Sequence, residues 1–222
     1  VHTIAGWFAF GVLLNLGPRI GKYNEDGTAN EIEGHSLVSS FIGLLMLIVG
    51  FFGFLGACLI WAGADLGGWV NIYGAPATLS SFAFNTLMGL AGGMIGAFWW
   101  SKGNPFWMMS GGLAGIFICA GGLDIWYPGF AFVLGIIAGC VIIPANNWLH
   151  NTFKIDDCVG AVSIHGVAGV LGVLAVGIFA AGYPSAGDIP PTSFVGQLVG
   201  CIVMVLTGLI PGYVISFIMK SM

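Results

Sequence analysis

Two histidines, His2 and His165, lie within apolar stretches. An ionisable side chain is costly there, and it usually faces a cavity, a pathway or a partner. Their surroundings match: Val1-His2-Thr3-Ile4-Ala5-Gly6 aligned with Ile164-His165-Gly166-Val167-Ala168-Gly169 gives three identical positions and two conservative ones. Two such groups at matching positions of a repeat strengthen the reading that they face a cavity or pathway. The plainer reading is a hydrogen bond between helices, and both stand at this point. Little other chemistry competes. The sequence holds no G-x-S-x-G, no P-loop and no nucleophile beside the histidines, so no enzyme is expected. The five cysteines (Cys58, Cys119, Cys140, Cys158 and Cys201) stand singly, without C-x-x-C or metal-ligand spacing. They read as inert buried thiols, and no metal or cofactor is expected.

The elements that position the histidines follow from composition. The 222 residues include only 5 Lys+Arg and 9 Asp+Glu, or 6% charged, against roughly 25% in a soluble domain. With 58% hydrophobic residues and a mean hydropathy of +0.99, most of the chain must take lipid as its outer solvent. The expected fold class is all-α, a polytopic membrane helix bundle forming a single transmembrane domain over 1–222. Long strands of alternating polarity, which a β-barrel needs, are absent from the sequence. The 38 glycines suit helices that pack backbone to backbone.

Seven apolar segments are predicted, at 1–16, 37–62, 79–100, 106–123, 128–149, 158–181 and 194–219, the first and fourth short. Breaker clusters separate them, among them Gly17-Pro18, 63–76, Gly103 to Pro105 and 183–191. All the basic residues fall into alternate loops or the C-terminus: Arg19, Lys22, Lys102, Lys154 and Lys220. The other loops carry one acid each: Asp65, Asp124 and Asp188. Lys and Arg set orientation, so the basic loops and the C-terminus are expected on the cytoplasmic or equivalent side. The loop from Lys22 to Glu33 reads as solvated, and most tryptophans, Trp7, Trp61, Trp69 and Trp126 included, read as interfacial. A net charge of −4 without a basic stripe gives nucleic acid no support as a partner. Segment 1–16 is short of the roughly 20 residues that a span needs, and the chain opens on Val, so further residues upstream are expected.

The run from Ile155-Asp156-Asp157-Cys158-Val159-Gly160 through Ile164-His165-Gly166 to Gly177-Ile178-Phe179-Ala180 resembles the ammonium transporter (Amt) family. The resemblance is closest to its eukaryotic members. Leu16-Gly17-Pro18-Arg19-Ile20-Gly21, Gly34-His35-Ser36, Gly50-Phe51-Phe52-Gly53-Phe54, Asn85-Thr86-Leu87 and Gly112-Leu113-Ala114-Gly115 extend it, in order, along essentially the whole chain. The family fold has eleven helices, two inverted halves of five and a last one, and this chain resembles the fifth to the eleventh.

The resemblance implies trimers that pass ammonium through a hydrophobic pore in each subunit, with His2 and His165 as the histidine pair at its middle. A full charge at the bilayer centre costs about 2.5–3.5 kcal/mol or more, so ammonium is better deprotonated before it crosses. Phe54 matches an aromatic gate at the outer mouth. Phe51 stands where the family often has tryptophan, Leu55 where it has asparagine, and Cys58 where a serine helps hold the ion at an outer site. Gly160 departs from an acidic position of bacterial relatives. His35 and His150 read as interfacial or capping groups. The implied partners are ammonium or ammonia, the lipid bilayer and two further copies of the chain. The rival reading is a transport-inactive structural subunit, completed by other membrane subunits, or an ammonium sensor that keeps the fold.

Overall fold

The computed structural model describes residues 1–61, 77–183 and 190–222. The breaker stretch 63–76 with Asp65 and Trp69, the side chain of Trp61, and Asp188 lie outside the described residues. Among the described residues, seven helices follow in order: α1 (His2–Leu16), α2 (Leu37–Trp61), α3 (Leu79–Ser101), α4 (Pro105–Cys119), α5 (Pro128–Trp148), α6 (Ala168–Phe179) and α7 (Phe194–Ser221). Wider π-helical turns continue α5 over Leu149–Phe153 and lead into α6 over Val162–Val167. Among the described residues, six helical stretches are long and apolar enough to cross a membrane, while α1 has 15 residues. No strand occurs among the described residues, only an isolated bridge between Tyr23 and Ala29.

Local chemistry sets the starts of these helices. Thr78 and Ser81 form a reciprocal capping box ahead of α3, satisfying two backbone donors that no helical carbonyl reaches. Asn104 accepts from the amides of Phe106 and Trp107, with Pro105 in the first turn of α4 where its missing N–H costs nothing. Ser193 caps α7 through the Gly196 amide.

Glycine stripes explain how the helices meet. On α3, a Cβ at Gly93 would strike the carbonyl of Gly111 on α4, and a Cβ at Gly139 of α5 would strike that of Gly93. Three backbones thus converge at α3, a contact only glycine permits. α1 lies between α7, whose Gly208 and Gly212 face the carbonyls of Ile4 and Phe8, and the turn before α6. There Gly6 abuts Gly166 while Thr3 abuts Gly169, so the two histidine-bearing segments cross in opposite directions. α2 keeps most of its apolar surface outward, with Val38, Met46 and Val49 each over 70% exposed, as a helix facing lipid or another helix would.

Candidate functional site

His2 opens α1 and His165 lies in the π-helical turn Val162–Val167. π-turns inside helices are rare and occur often at functional sites. The crossing brings the two Nδ1 atoms to 3.3 Å. One imidazole donates and the other accepts across that contact. In a neutral pair the donor's Nε2 is then a bare acceptor, and the acceptor's Nε2 carries a hydrogen. His2 Nε2, on the far edge of its ring, is buried and has no hydrogen-bond partner in the protein.

Aromatic rings enclose the pair. Phe117 stacks on His2 at 3.8 Å between centroids and 19°, and on His165 at 4.4 Å and 28°, so one ring supports both imidazoles. Phe51 meets Phe117 edge-on at 5.2 Å and lies 5.9 Å from His2; Phe54 stands edge-on to His2 at 6.4 Å. A cavity of about 320 Å³ opens beside them, lined by residues that include His2, Phe54, Leu55, Cys58 and Phe82. The structure therefore brings His2, His165, Phe51 and Phe54 into one ring cluster and places Cys58 on the adjoining cavity wall.

Phe117 was not legible in the sequence. Its stretch Gly115-Ile116-Phe117-Ile118 carries no feature that separates it from the chain's other phenylalanines. Each stacked contact is worth about 0.5–1.5 kcal/mol beyond area burial. Phe117→Leu is expected to leave helix content unchanged and to lower the thermal midpoint by a few degrees, read by circular dichroism on heating.

The ends of α1, α5 and α7 meet at one side of the bundle. Arg19 donates to Asp156 through its backbone amide at 2.9 Å, through Nε at 2.7 Å and through Nη2 at 2.9 Å. The Asp156 side chain is 1% exposed. The next residue, Asp157, accepts from the amides of Ala161 and Val162 at 2.8 and 2.7 Å, capping the start of the π-turn. His150 Nε2 accepts from the Asp157 amide, in keeping with a capping role, while His35 is exposed just before α2. Lys154 donates to the Gly27 carbonyl and Lys220 to that of Asn15.

Several expectations need correction. Lys22 is not solvated but buried, its Nζ donating to the Asn30 carbonyl as the loop folds back on itself. Cys119 and Cys201 are buried as expected, but Cys58 and Cys158 are exposed, one on a helix with an outward face and the other in a loop. Trp126 is not interfacial in the sense expected: it is 1% exposed, packed under the turn after α4. Gly160 adopts φ 74, a left-handed conformation that favours glycine.

The two carboxylates respond to acid in opposite senses. Arg19 holds Asp156 below the usual carboxylate range, whereas burial pushes Asp157 up despite its amide donors. The depressed group stabilises the fold above the unfolded value near 3.9, and that stability is lost as pH falls through its folded pKa. The raised group does the reverse: taking up a proton between its folded pKa and about 3.9 adds stability. Asp157→Asn is therefore expected to flatten the mildly acidic limb of a thermal-midpoint-against-pH profile, and Asp156→Asn to remove the strongly acidic limb. Asp157→Ala, which abolishes the cap, should cost about 1–2 kcal/mol.

The profile of the Ammonium Transporter Family matches residues 1–222. This chain belongs to the ammonium transporter family. It is an integral, multi-pass membrane protein and not an enzyme. Ammonium transporter Amt1 of Haloferax mediterranei is 31% identical over 224 residues, covering 97% of this chain and 42% of its own length. Ammonium transporter 1 member 1 of Solanum lycopersicum is also 31% identical, over 210 residues, covering 88% and 42%. Archaeal and plant relatives thus stand at the same identity. A solved structure described as a sensor Amt protein superposes with a TM-score of 0.83 at 30% identity, covering 100% of this chain and 53% of that one. The chain spans about half the length of the relatives it matches.

Proposed function

We propose that this family member moves ammonium, as ammonia plus a separately handled proton, through a hydrophobic pore whose middle is the His2–His165 pair. The observation that carries the reading is the Nδ1–Nδ1 contact of 3.3 Å between two segments crossing in opposite directions, roofed by Phe117 and flanked by a cavity. Phe54 acts on the cavity side as the aromatic gate, Phe51 lines the pore behind it, and Cys58 lines the outer ion site. A bare imidazole nitrogen can take the proton that ammonium must shed, while the apolar walls disfavour passage of the charged form. The unpartnered His2 Nε2 supplies a polar contact for the neutral molecule. In this reading 1–222 acts as one transmembrane domain within a homotrimer, with the basic loops and the C-terminus on the cytoplasmic side.

A sensor that binds ammonium without conducting it is the second reading. Similarity to the structure described as a sensor Amt protein favours it, as does Leu55 at a cavity position where the resemblance expects asparagine. Vesicles containing the natively purified protein test both. The first reading predicts uptake of ¹⁵N-labelled ammonium several-fold faster than into protein-free vesicles. Saturable ammonium binding with flux at the protein-free level would favour the sensor, and neither binding nor flux would leave the structural-subunit role.

A further inference from the structure

We propose that the Arg19–Asp156 ion pair sets the axial register of the two histidine-bearing segments, which makes Arg19 and Asp156 positioning residues for the His2–His165 contact. The proposal rests on the reading of that pair as the middle of the pore. Arg19 lies three residues beyond the end of α1, the helix that His2 opens; Asp156 lies six residues before the π-turn that carries His165. The three donors of Arg19 converge on one carboxylate, two of them from a guanidinium fork whose geometry tolerates little sliding.

Something must supply register here, because the direct contact between the two segments does not. Gly6 meets Gly166 backbone against backbone, and Thr3 meets the bare face of Gly169. Such surfaces permit close approach, and beyond Thr3 and Trp7 they offer few interdigitating side chains to resist sliding along the axis. A hydrogen bond between two Nδ1 atoms is lost within a few tenths of an ångström beyond 3.3 Å. An α-helix is stiff along its axis, so a displacement at the Arg19 end reaches His2 nearly undiminished. On the other strand of the crossing the path is short: Asp156 is covalently joined to Asp157, whose carboxylate grips the amides of Ala161 and Val162 at the mouth of the π-turn. His165 follows within one turn of those amides. The ties of Tyr23 to the His150 carbonyl and of Lys154 to the Gly27 carbonyl hold the loop after α1 to the end of α5. Neither reaches the segment that leads into the π-turn.

The chain has only 4 histidines, so uniform ¹⁵N-histidine labelling gives a readable spectrum of the full protein in lipid, with His2→Ala assigning the pair. In the parent, one hydrogen-bonded Nδ1–H signal shared by His2 and His165 is expected. Arg19→Met should abolish it and lower the maximal ammonium flux about 10- to 100-fold, the range set by misplacement of about 1 Å, with the half-saturating concentration unchanged because the cavity wall is untouched. Should Arg19→Met fail to fold around the abandoned carboxylate, Arg19→Gln/Asp156→Asn removes both charges and should give the same two losses. A shared signal that persists in either folded variant overturns the clamp. Its absence from the parent overturns the pair itself, and the clamp with it. Loss of the signal without loss of flux upholds the clamp and contradicts the pore reading.

Discussion

Replacing His165 by alanine is expected to lower ammonium flux about 100-fold while the chain still folds. The flux estimate follows from the proposed role of the pair, removal of the charge from ammonium. Carrying an intact cation through the bilayer centre costs about 2.5–3.5 kcal/mol or more, and each 1.4 kcal/mol is tenfold. Losing the proton acceptor therefore forfeits roughly two orders of magnitude. The structural cost is smaller. The substitution leaves His2 Nδ1 without its 3.3 Å partner, at about 1–3 kcal/mol. Phe117 still stacks on His2, and the backbone contacts between Gly6 and Gly166 do not involve the imidazole. Flux in vesicles and the thermal midpoint in detergent, measured on the same preparation, separate the two effects.

Gly6→Ala should have the larger effect on stability, although alanine is the better helix former. In an open helix position the exchange gains about 1 kcal/mol. At Gly6 the new methyl would occupy the space of the Gly166 amide nitrogen and Cα, with the His165 carbonyl carbon 2.9 Å away. These are backbone atoms, so no rotamer change relieves the clash and the segments must part. Overpacking of this kind costs about 1–3 kcal/mol or more, which outweighs the propensity gain. Parting the segments also takes the histidines out of hydrogen-bond range. Gly43→Ala on α2, where a Cβ meets nothing within 4 Å, is the control: it should leave the midpoint level or raised and flux unchanged. Equal midpoints for the two variants would contradict the packing argument.

The helices were legible in the sequence because their signal is one-dimensional. Charge and breakers marked the loops, and the predicted segments match α1 to α7 within a few residues at most ends. The kinship of the two crossing segments was legible too, through the six-residue match around His2 and His165. What the sequence did not carry depends on which side chains meet across helices. Phe117 lies 115 residues along the chain from His2 and reaches it only once α4 packs beside the crossing. Lys22 appeared solvated because composition cannot show that a loop turns back to bring the Asn30 carbonyl over its ammonium. The π-turn at His165 left no trace in hydropathy, since a change from four to five residues per hydrogen bond alters phase rather than composition.

The most direct test of the central claim is a double-mutant cycle on ammonium flux using His2→Ala, His165→Ala and the double variant in vesicles. If the two imidazoles work as one proton-sharing unit, each single substitution costs about as much as both together, as groups acting jointly do. Single variants that transport like the parent, or losses that multiply in the double variant, would contradict the account.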